Sequence, residues 1–332
     1  MPVMTKELIT YLAPQQGSVC IDATFGAGGH TTALLKRIGA SGRILACDRD
    51  EQAIARGRKT HANAVATGQL LFVHSPFSLL ATHPNITPFI NNTDAICADL
   101  GLSSMQLLDP QRGFSFNSDA PLDMRMSQTQ TLTAATIVNS YPQQELADII
   151  YTFGEERRSF RLAKAIVANR PFTTAKQLAD LIASCDHRYR TKSSTHHRPG
   201  PNARHPATKV FQALRIAVNA ELEELTQLLR VCPQLLKRGG RAAFISFHSL
   251  EDRIVKHFMR YSASHSHALA PPAHRLPKKA PKTSKQFSSY ENFAIERWGQ
   301  IIKPFPVFPS SEEVYNNRRA RSAKLRIIEK TL

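Results

Sequence analysis

Acid is what this sequence lacks most. Its 332 residues carry 26 aspartates and glutamates against 43 lysines and arginines, a formal net charge of +17. Long apolar runs are missing as well, so no segment is long enough for a membrane-spanning helix and no membrane association is expected. The opening MPVMTKELITYL has no basic region followed by an extended apolar stretch. That argues against a secretory leader and predicts a cytoplasmic protein. The cysteines, Cys20, Cys47, Cys97, Cys185 and Cys232, form no CxxC pair. A disulfide framework and a zinc site are both disfavoured, and the thiols are expected to be reduced and mostly buried. No metal is expected.

What is present is unevenly spread. Residues 1–100 hold about eight basic and about seven acidic side chains, close to balance. Residues 186–209 hold about six basic and about one acidic, 261–290 about five and none, and 316–326 about five and none. A single basic run is commonly a solvated face. Three of them beside a balanced half point to a polyanionic partner, and nucleic acid is the commonest.

Five near-continuous apolar runs, 18–24, 43–48, 70–75, 94–100 and 241–248, read as strands of a parallel sheet covered on both faces. Helix-like segments at 30–38 and 51–66 alternate with the first of them, which is the βαβ signature of a doubly wound α/β domain. Between about 107 and 205 no strand is predicted. Segments 133–138, 143–153, 155–169 and 174–184 read as helices, followed by a basic loop, 186–205, and a long amphipathic helix, 209–229. The chain therefore divides into a discontinuous sheet domain, 1–107 and 208–332, and an inserted all-helical domain, 108–207. A helix is expected at 250–260, low order on composition at 261–290, and a closing antiparallel pair from 298–303 and 323–329.

The chemistry starts in residues 19–30, VCIDATFGAGGH: a strand, a glycine-rich turn and the start of a helix. Gly26, Gly28 and Gly29 remove the Cβ atoms that would hold a ligand away from the backbone. Asp48 ends the next strand, placed to accept bonds from ribose hydroxyls. The dinucleotide fingerprint G-x-G-x-x-G fails, because its third glycine position is Thr31. Asp22 and Asp48 instead suit S-adenosylmethionine, a sulfonium cation with a ribose diol and no pyrophosphate. Asp99, at the end of the fourth strand, lies at the sheet edge where reacting groups gather. It is the catalytic candidate, with a helix N-cap as the plainer alternative. His248 and Ser249 end the fifth strand and read equally well as a helix-capping pair.

Longer strings follow in order: DATFGAGGH (22–30), DLGLSSMQL (99–107), RGFSF (112–116), PLDMRM (121–126), GEERRSFRLAKAIV (154–167), HPATKVFQALRIAVNAEL (205–222), SFHSLEDRIVK (246–256) and RARSAKLR (319–326). The sequence resembles the bacterial 16S ribosomal RNA (cytosine-N4)-methyltransferase family, MraW-like, over essentially its whole length. The resemblance implies a class I, Rossmann-like methyltransferase sheet with a helical insertion. It implies S-adenosylmethionine as donor and the exocyclic N4 of a decoding-region cytidine of small-subunit rRNA as acceptor. By position, the family's cofactor contacts fall on Gly28, Gly29, His30, Asp48, Phe77, Asp99 and Gln106. Phe77 would pack on the adenine ring, and His30 would offer its helix-start N–H to the methionine carboxylate.

Arg112, Arg125, Arg188, Arg190 and Lys192 are expected to grip RNA around the target base. A monomer or weak homodimer is expected. The chain departs from the family where a His-Pro-Val-Leu is usual and MPVM stands, and where Asn317-Arg318 replaces an Asn-Pro pair. On sequence alone two other readings stay open: an NAD-dependent oxidoreductase, and an RNA-binding ribosome assembly factor that transfers nothing.

Overall fold

The computed structural model describes residues 2–116, 119–186, 205–264 and 297–332. In chain order it runs α1 (Thr5–Leu12), β1 (Val19–Asp22), α2 (Gly29–Ile38), β2 (Arg43–Asp48), α3 (Glu51–Thr60), α4 (Ala62–Ala66), β3 (Leu70–His74) and β4 (Thr93–Asp99). It continues with α5 (Ser104–Leu108), α6 (Ala134–Ser140), α7 (Gln143–Gly154), α8 (Ser159–Ala168), α9 (Ala175–Ser184), α10 (Thr208–Asn219) and α11 (Glu221–Leu235). The chain closes with β5 (Leu236–Ser246), α12 (Ser249–Ala263), β6 (Gly299–Val307), α13 (Ser311–Asn316) and β7 (Lys324–Lys330). Short 3-10 helices cover Phe77–Thr82, Pro84–Phe89, Pro110–Arg112 and Arg318–Ser322. Two compact units result. Of the described residues, one takes 2–103, 222–264 and 297–332, and the other 104–116, 119–186 and 205–221.

The first unit holds a seven-stranded sheet in the order β3-β2-β1-β4-β5-β7-β6. β1 to β5 pair in parallel, and β7 pairs antiparallel with both β5 and β6. A dinucleotide sheet runs 3-2-1-4-5-6. Here an antiparallel β7 is wedged between β5 and β6, which is the Rossmann-like methyltransferase sheet that the resemblance implied. Ile21, Leu45, Ile96, Phe244 and Ile327 are buried to 1% exposure or less. Layers on both faces explain why these strands read as unbroken apolar runs. Pro304 and Pro306 lie on the edge strand β6, where a missing N–H costs no ladder bond.

The parallel order reverses between β1 and β4, the switch point at which α/β sheets bind ligands. Asp22 is opposite Ala46 on one side and Cys97 on the other. Asp48 and Asp99 thus lie two residues beyond Asp22 along the two flanking strands, about 7 Å at strand rise. Three carboxylates share one edge because the registers agree.

Several element boundaries move. The helix expected over 209–229 is two, because Ala220 takes a left-handed conformation (φ 47) and donates its N–H to the Ile216 carbonyl. Residues 208–221 group with the helical unit, not with the sheet, and the break near 107 falls at 103/104. The helix expected over 51–66 is interrupted at His61, whose N–H bonds the Gly57 carbonyl. β5 starts at Leu236, five residues before the expected 241, with a register break against β4 at Thr93/Ala95. The closing antiparallel pair forms as expected.

Among its described residues the second unit has helices and an isolated bridge, Pro121 to Thr174. Thr174 and Gln177 form a capping box at α9, worth about 1 kcal/mol. α7 and α10 approach closely at Gly154, where any Cβ would stand 2.6 Å from the Lys209 carbonyl oxygen. Cys20, Cys47, Cys97 and Cys232 are buried free thiols, and Cys185 is partly exposed. No helix among the described residues is long and apolar enough to cross a membrane.

Candidate active site

The glycine turn is held from beneath. Phe25 is buried, its N–H bonds the Cys47 carbonyl at 2.8 Å, and its ring packs edge-on against Phe72 at 4.8 Å. It fits because Gly28 and Gly57 have no side chains: a Cβ at either would approach the Phe25 ring to 2.7 or 2.6 Å. Gly28 also sits at φ +80, a conformation that only glycine takes without strain. Pro2 lies against Gly29, where an added Cβ would meet it at 2.7 Å. The departing N-terminal MPVM therefore covers the turn with proline.

Asp48 anchors the turn to β2. Its Oδ2 accepts the Gly26 N–H at 2.7 Å and its Oδ1 accepts the Asp50 N–H at 2.9 Å. Burial raises its pKa to about 6, although both backbone donors pull it down. Each oxygen keeps lone-pair capacity for a further donor such as a ribose hydroxyl.

Asp22 is fully buried, and the Thr31 hydroxyl donates to its Oδ2 at 2.6 Å. Thr31 thus spends the third-glycine position on orienting a carboxylate. The Thr24 N–H also donates to Asp22, at 3.1 Å. Burial raises the Asp22 pKa, opposed by His30 and these two bonds.

Asp99 is fixed through its backbone, which donates to the Thr24 hydroxyl at 2.6 Å. Its carboxylate stands 3.4 Å from His30 Nε2, with the Asp99 side chain a quarter exposed and that of His30 at 6%. Both ring nitrogens of His30 and Oδ1 of Asp99 are buried without a hydrogen-bond partner. Burial works against a charged His30, but Asp99, then Asp22 and Glu313, outweigh it and raise its pKa. Glu313, on α13, also accepts the Met4 N–H. No sequence signal pointed to Glu313, since it reaches this edge from nearly 300 residues away.

Phe77 opens the 3-10 helix that follows β3 and is partly buried. The next residue is clamped, with the N–H and hydroxyl of Ser78 both donating to Glu224, at 2.8 and 2.9 Å. Because β3 pairs with β2, placing His74 opposite Asp48, Phe77 lies along the edge from Asp48. Gly28, Gly29, His30, Asp48, Phe77 and Asp99 therefore all belong to the first unit, at or just beyond the carboxyl ends of its strands. Gln106 is buried on α5 and groups with the second unit.

Buried polar atoms left open at a switch-point edge are what a polar ligand satisfies. The set also matches S-adenosylmethionine by charge and by chemistry: carboxylates toward a cation and a diol, an aromatic ring for adenine, and for a carboxylate an imidazole whose pKa the neighbouring acids raise. His248 caps α12 and forms a capping box with Glu251, so the capping reading holds for it.

The expected RNA contacts fare differently. Arg112 is 3% exposed, and its Nη1 donates to the Met126 and Arg125 carbonyls at 2.9 and 3.2 Å. Arg125 pairs with Asp123 at 2.7 Å and bonds the Gln130 carbonyl at 2.7 Å. Both hold the 123–130 loop, to which Asn219 adds bonds to Met124 and Met126. Internal bonds thus engage both guanidinium groups, that of Arg112 buried and that of Arg125 21% exposed. Arg188, Arg190 and Lys192 lie outside the described residues.

The family description "MraW methylase family" matches residues 1–331. A protein of Beijerinckia indica named ribosomal RNA small subunit methyltransferase H is 45% identical over 98% of this chain and 84% of its own. One of the same name from Caldicellulosiruptor saccharolyticus is 41% identical over 99% of this chain and 98% of its own. Among solved structures, a SAM-dependent O-methyltransferase of Thermotoga maritima is similar at a TM-score of 0.38 and 9% identity, over 99% of this chain and 64% of that one. The strand order, not this last likeness, defines the fold. A methylase family and a turn whose third glycine is a threonine bonded to Asp22 set the oxidoreductase reading aside, and the chain belongs to the MraW methylase family.

Proposed function

We propose that this protein transfers a methyl group from S-adenosylmethionine to the exocyclic N4 of a decoding-region cytidine in the 16S rRNA of the small ribosomal subunit, acting in the cytoplasm as a monomer or weak homodimer. The observation that carries this reading is the carboxylate edge, Asp22, Asp48 and Asp99, built around the glycine turn in a chain of a methylase family. The near full-length identity to proteins named for small-subunit rRNA methylation supports the acceptor.

When bound, the cofactor supplies a methyl group on a positively charged sulfur. Asp48 would accept the ribose hydroxyls and Phe77 would face the adenine. The backbone of Gly28 and Gly29, with the imidazole of His30, would take the methionine carboxylate. Gln106 would add a polar contact.

Cytosine N4 is a weak nucleophile because its lone pair is conjugated into the ring. Attack needs in-line approach and an acceptor for an amino proton as N4 gains positive charge. Asp99 fits that task. Its backbone is pinned by Thr24 and one carboxylate oxygen is open. The target base must leave its stack to reach a sheet edge, and the helical unit is the part of the chain proposed to hold the surrounding RNA.

The direct test is transfer of a labelled methyl group to small-subunit particles and to naked rRNA, followed by nucleoside analysis. N4-methylcytidine in the small-subunit RNA is the expected product. Label at another atom, or binding of the cofactor and RNA without any transfer, overturns the reading and would favour an assembly factor.

A further inference from the structure

The RNA contacts expected from the sequence lie in the insertion and its basic loop. A second concentration of cations lies on the sheet unit. α12 buries Leu250, Ile254, Val255, Phe258, Met259 and Ser262. It packs on β6 and β7, with Phe258 against Trp298 at a ring separation of 6.1 Å. The opposite helix face carries Arg253, Lys256 and Arg260, spaced i, i+3, i+7, with no acid after Asp252. Lys324 and Arg326 of β7 reach the same helix and share that one carboxylate, at 3.0 and 2.8 Å. The Arg326 guanidinium also covers the Phe305 ring at 4.3 Å.

Lys324 and Arg326 are thus tied to Asp252, while Arg253, Lys256 and Arg260 run along the outward face of α12. Burial and then the charges of Arg260, Arg326 and Arg253 hold Lys256 below the usual lysine range, with only Asp252 opposing. A row of cations on one rigid helix attracts a polyanion through the sum of its charges. The location matters too. α12 follows β5, whose Ile245 carbonyl accepts the Leu100 N–H at 3.0 Å, one residue past Asp99. The stripe begins one helical turn from the acceptor edge and spans about 10 Å along the axis at 1.5 Å per residue.

We propose that Arg253, Lys256 and Arg260 of α12, backed by Lys324, form a docking surface for the phosphate backbone of the RNA strand that delivers its base to Asp99. This rests on the RNA-methylating reading above and assigns part of the grip to the sheet unit. The contacts are to phosphate, so they position the strand without reading its sequence.

The test uses the full chain carrying R253Q, K256Q and R260Q together, with filter binding to naked small-subunit rRNA across a salt series. Affinity at low salt should fall roughly ten- to a hundred-fold, and the slope of log affinity against log salt should shrink by about two, at about 0.7 per single-strand phosphate contact. Cofactor affinity and melting temperature should stay at wild-type values. The charge-preserving R253K, K256R, R260K variant should keep both affinity and slope, which a purely structural role for these side chains would not predict.

An unchanged salt slope in the glutamine variant overturns the surface. So does loss of binding to phosphatidylserine vesicles with RNA binding intact, which would mark a membrane face. The broader reading fails separately, on absence of methyl transfer by the wild-type protein.

Discussion

At the carboxyl edge of β1, β2 and β4 the charged groups are few, and each is tied to the backbone or to a neighbour: Asp48 to two N–H groups, Asp22 to Thr31 and Thr24. Beyond the first turn of α12 they are basic and partly or fully exposed: Arg253, Lys256 and Arg260. Low dielectric makes every charge at the first site strong and intolerant of change. At the second, solvent and salt weaken each charge, so only several together matter. One region specifies a small cation by geometry, the other a long polyanion by sum.

Breaking the edge should therefore cost far more per side chain than breaking the stripe. Asp99→Asn should lower the single-turnover methyl-transfer rate about 10²- to 10⁴-fold, the range of a lost general base. Cofactor affinity should change much less, and equal losses in both would reassign Asp99 to binding.

Arg112→Met probes the helical unit in place of an RNA contact. It leaves two buried carbonyls without their donor, at about 1–3 kcal/mol each. A drop in melting temperature with an unaltered salt slope for RNA is the expected pairing. A shallower slope with normal stability would restore Arg112 to the interface.

Asp48→Asn should weaken the cofactor about ten- to a hundred-fold, since bonds to a charged acceptor are worth about 1.5–3 kcal/mol. It should also flatten a pH dependence. With the wild-type carboxyl at about 6, affinity measured by calorimetry should fall as pH drops through that value and Asp48 takes a proton. The same raised value has an opposite sign for stability. The native state holds this proton more tightly than the unfolded chain, so Asp48's contribution declines as pH rises from about 4 to about 6. Phe77→Ala is the smallest step, removing about 1 kcal/mol of ring contact and raising the cofactor's dissociation constant several-fold with the transfer rate on saturation unchanged.

Sequence and structure divide unevenly over these two regions. The turn, its glycines and the acids at 22, 48 and 99 were legible because strand, turn and helix start are local, and a backbone without Cβ atoms leaves a mark in the sequence itself. The stripe was not read. Arg253 and Lys256 sit in a recognised string, SFHSLEDRIVK, but string matching says nothing about which face of the helix packs inward. Arg112 shows a related limit: an arginine buried on carbonyls and one facing phosphate are the same letter. Ala220 is a further case, since an alanine in a left-handed cap gives no composition signal.

By itself the sequence determined the α/β class, the parallel strands, the glycine turn and the family, because hydrophobic period and backbone-limited turns are properties of short segments. The tertiary structure decided the rest. Strand register put three acids on one edge, and the fold brought Glu313 toward His30. Burial then sorted the arginines into those that hold loops and those that meet solvent. Each of these depends on pairs of residues far apart in the chain, whose distance and dielectric no local pattern encodes.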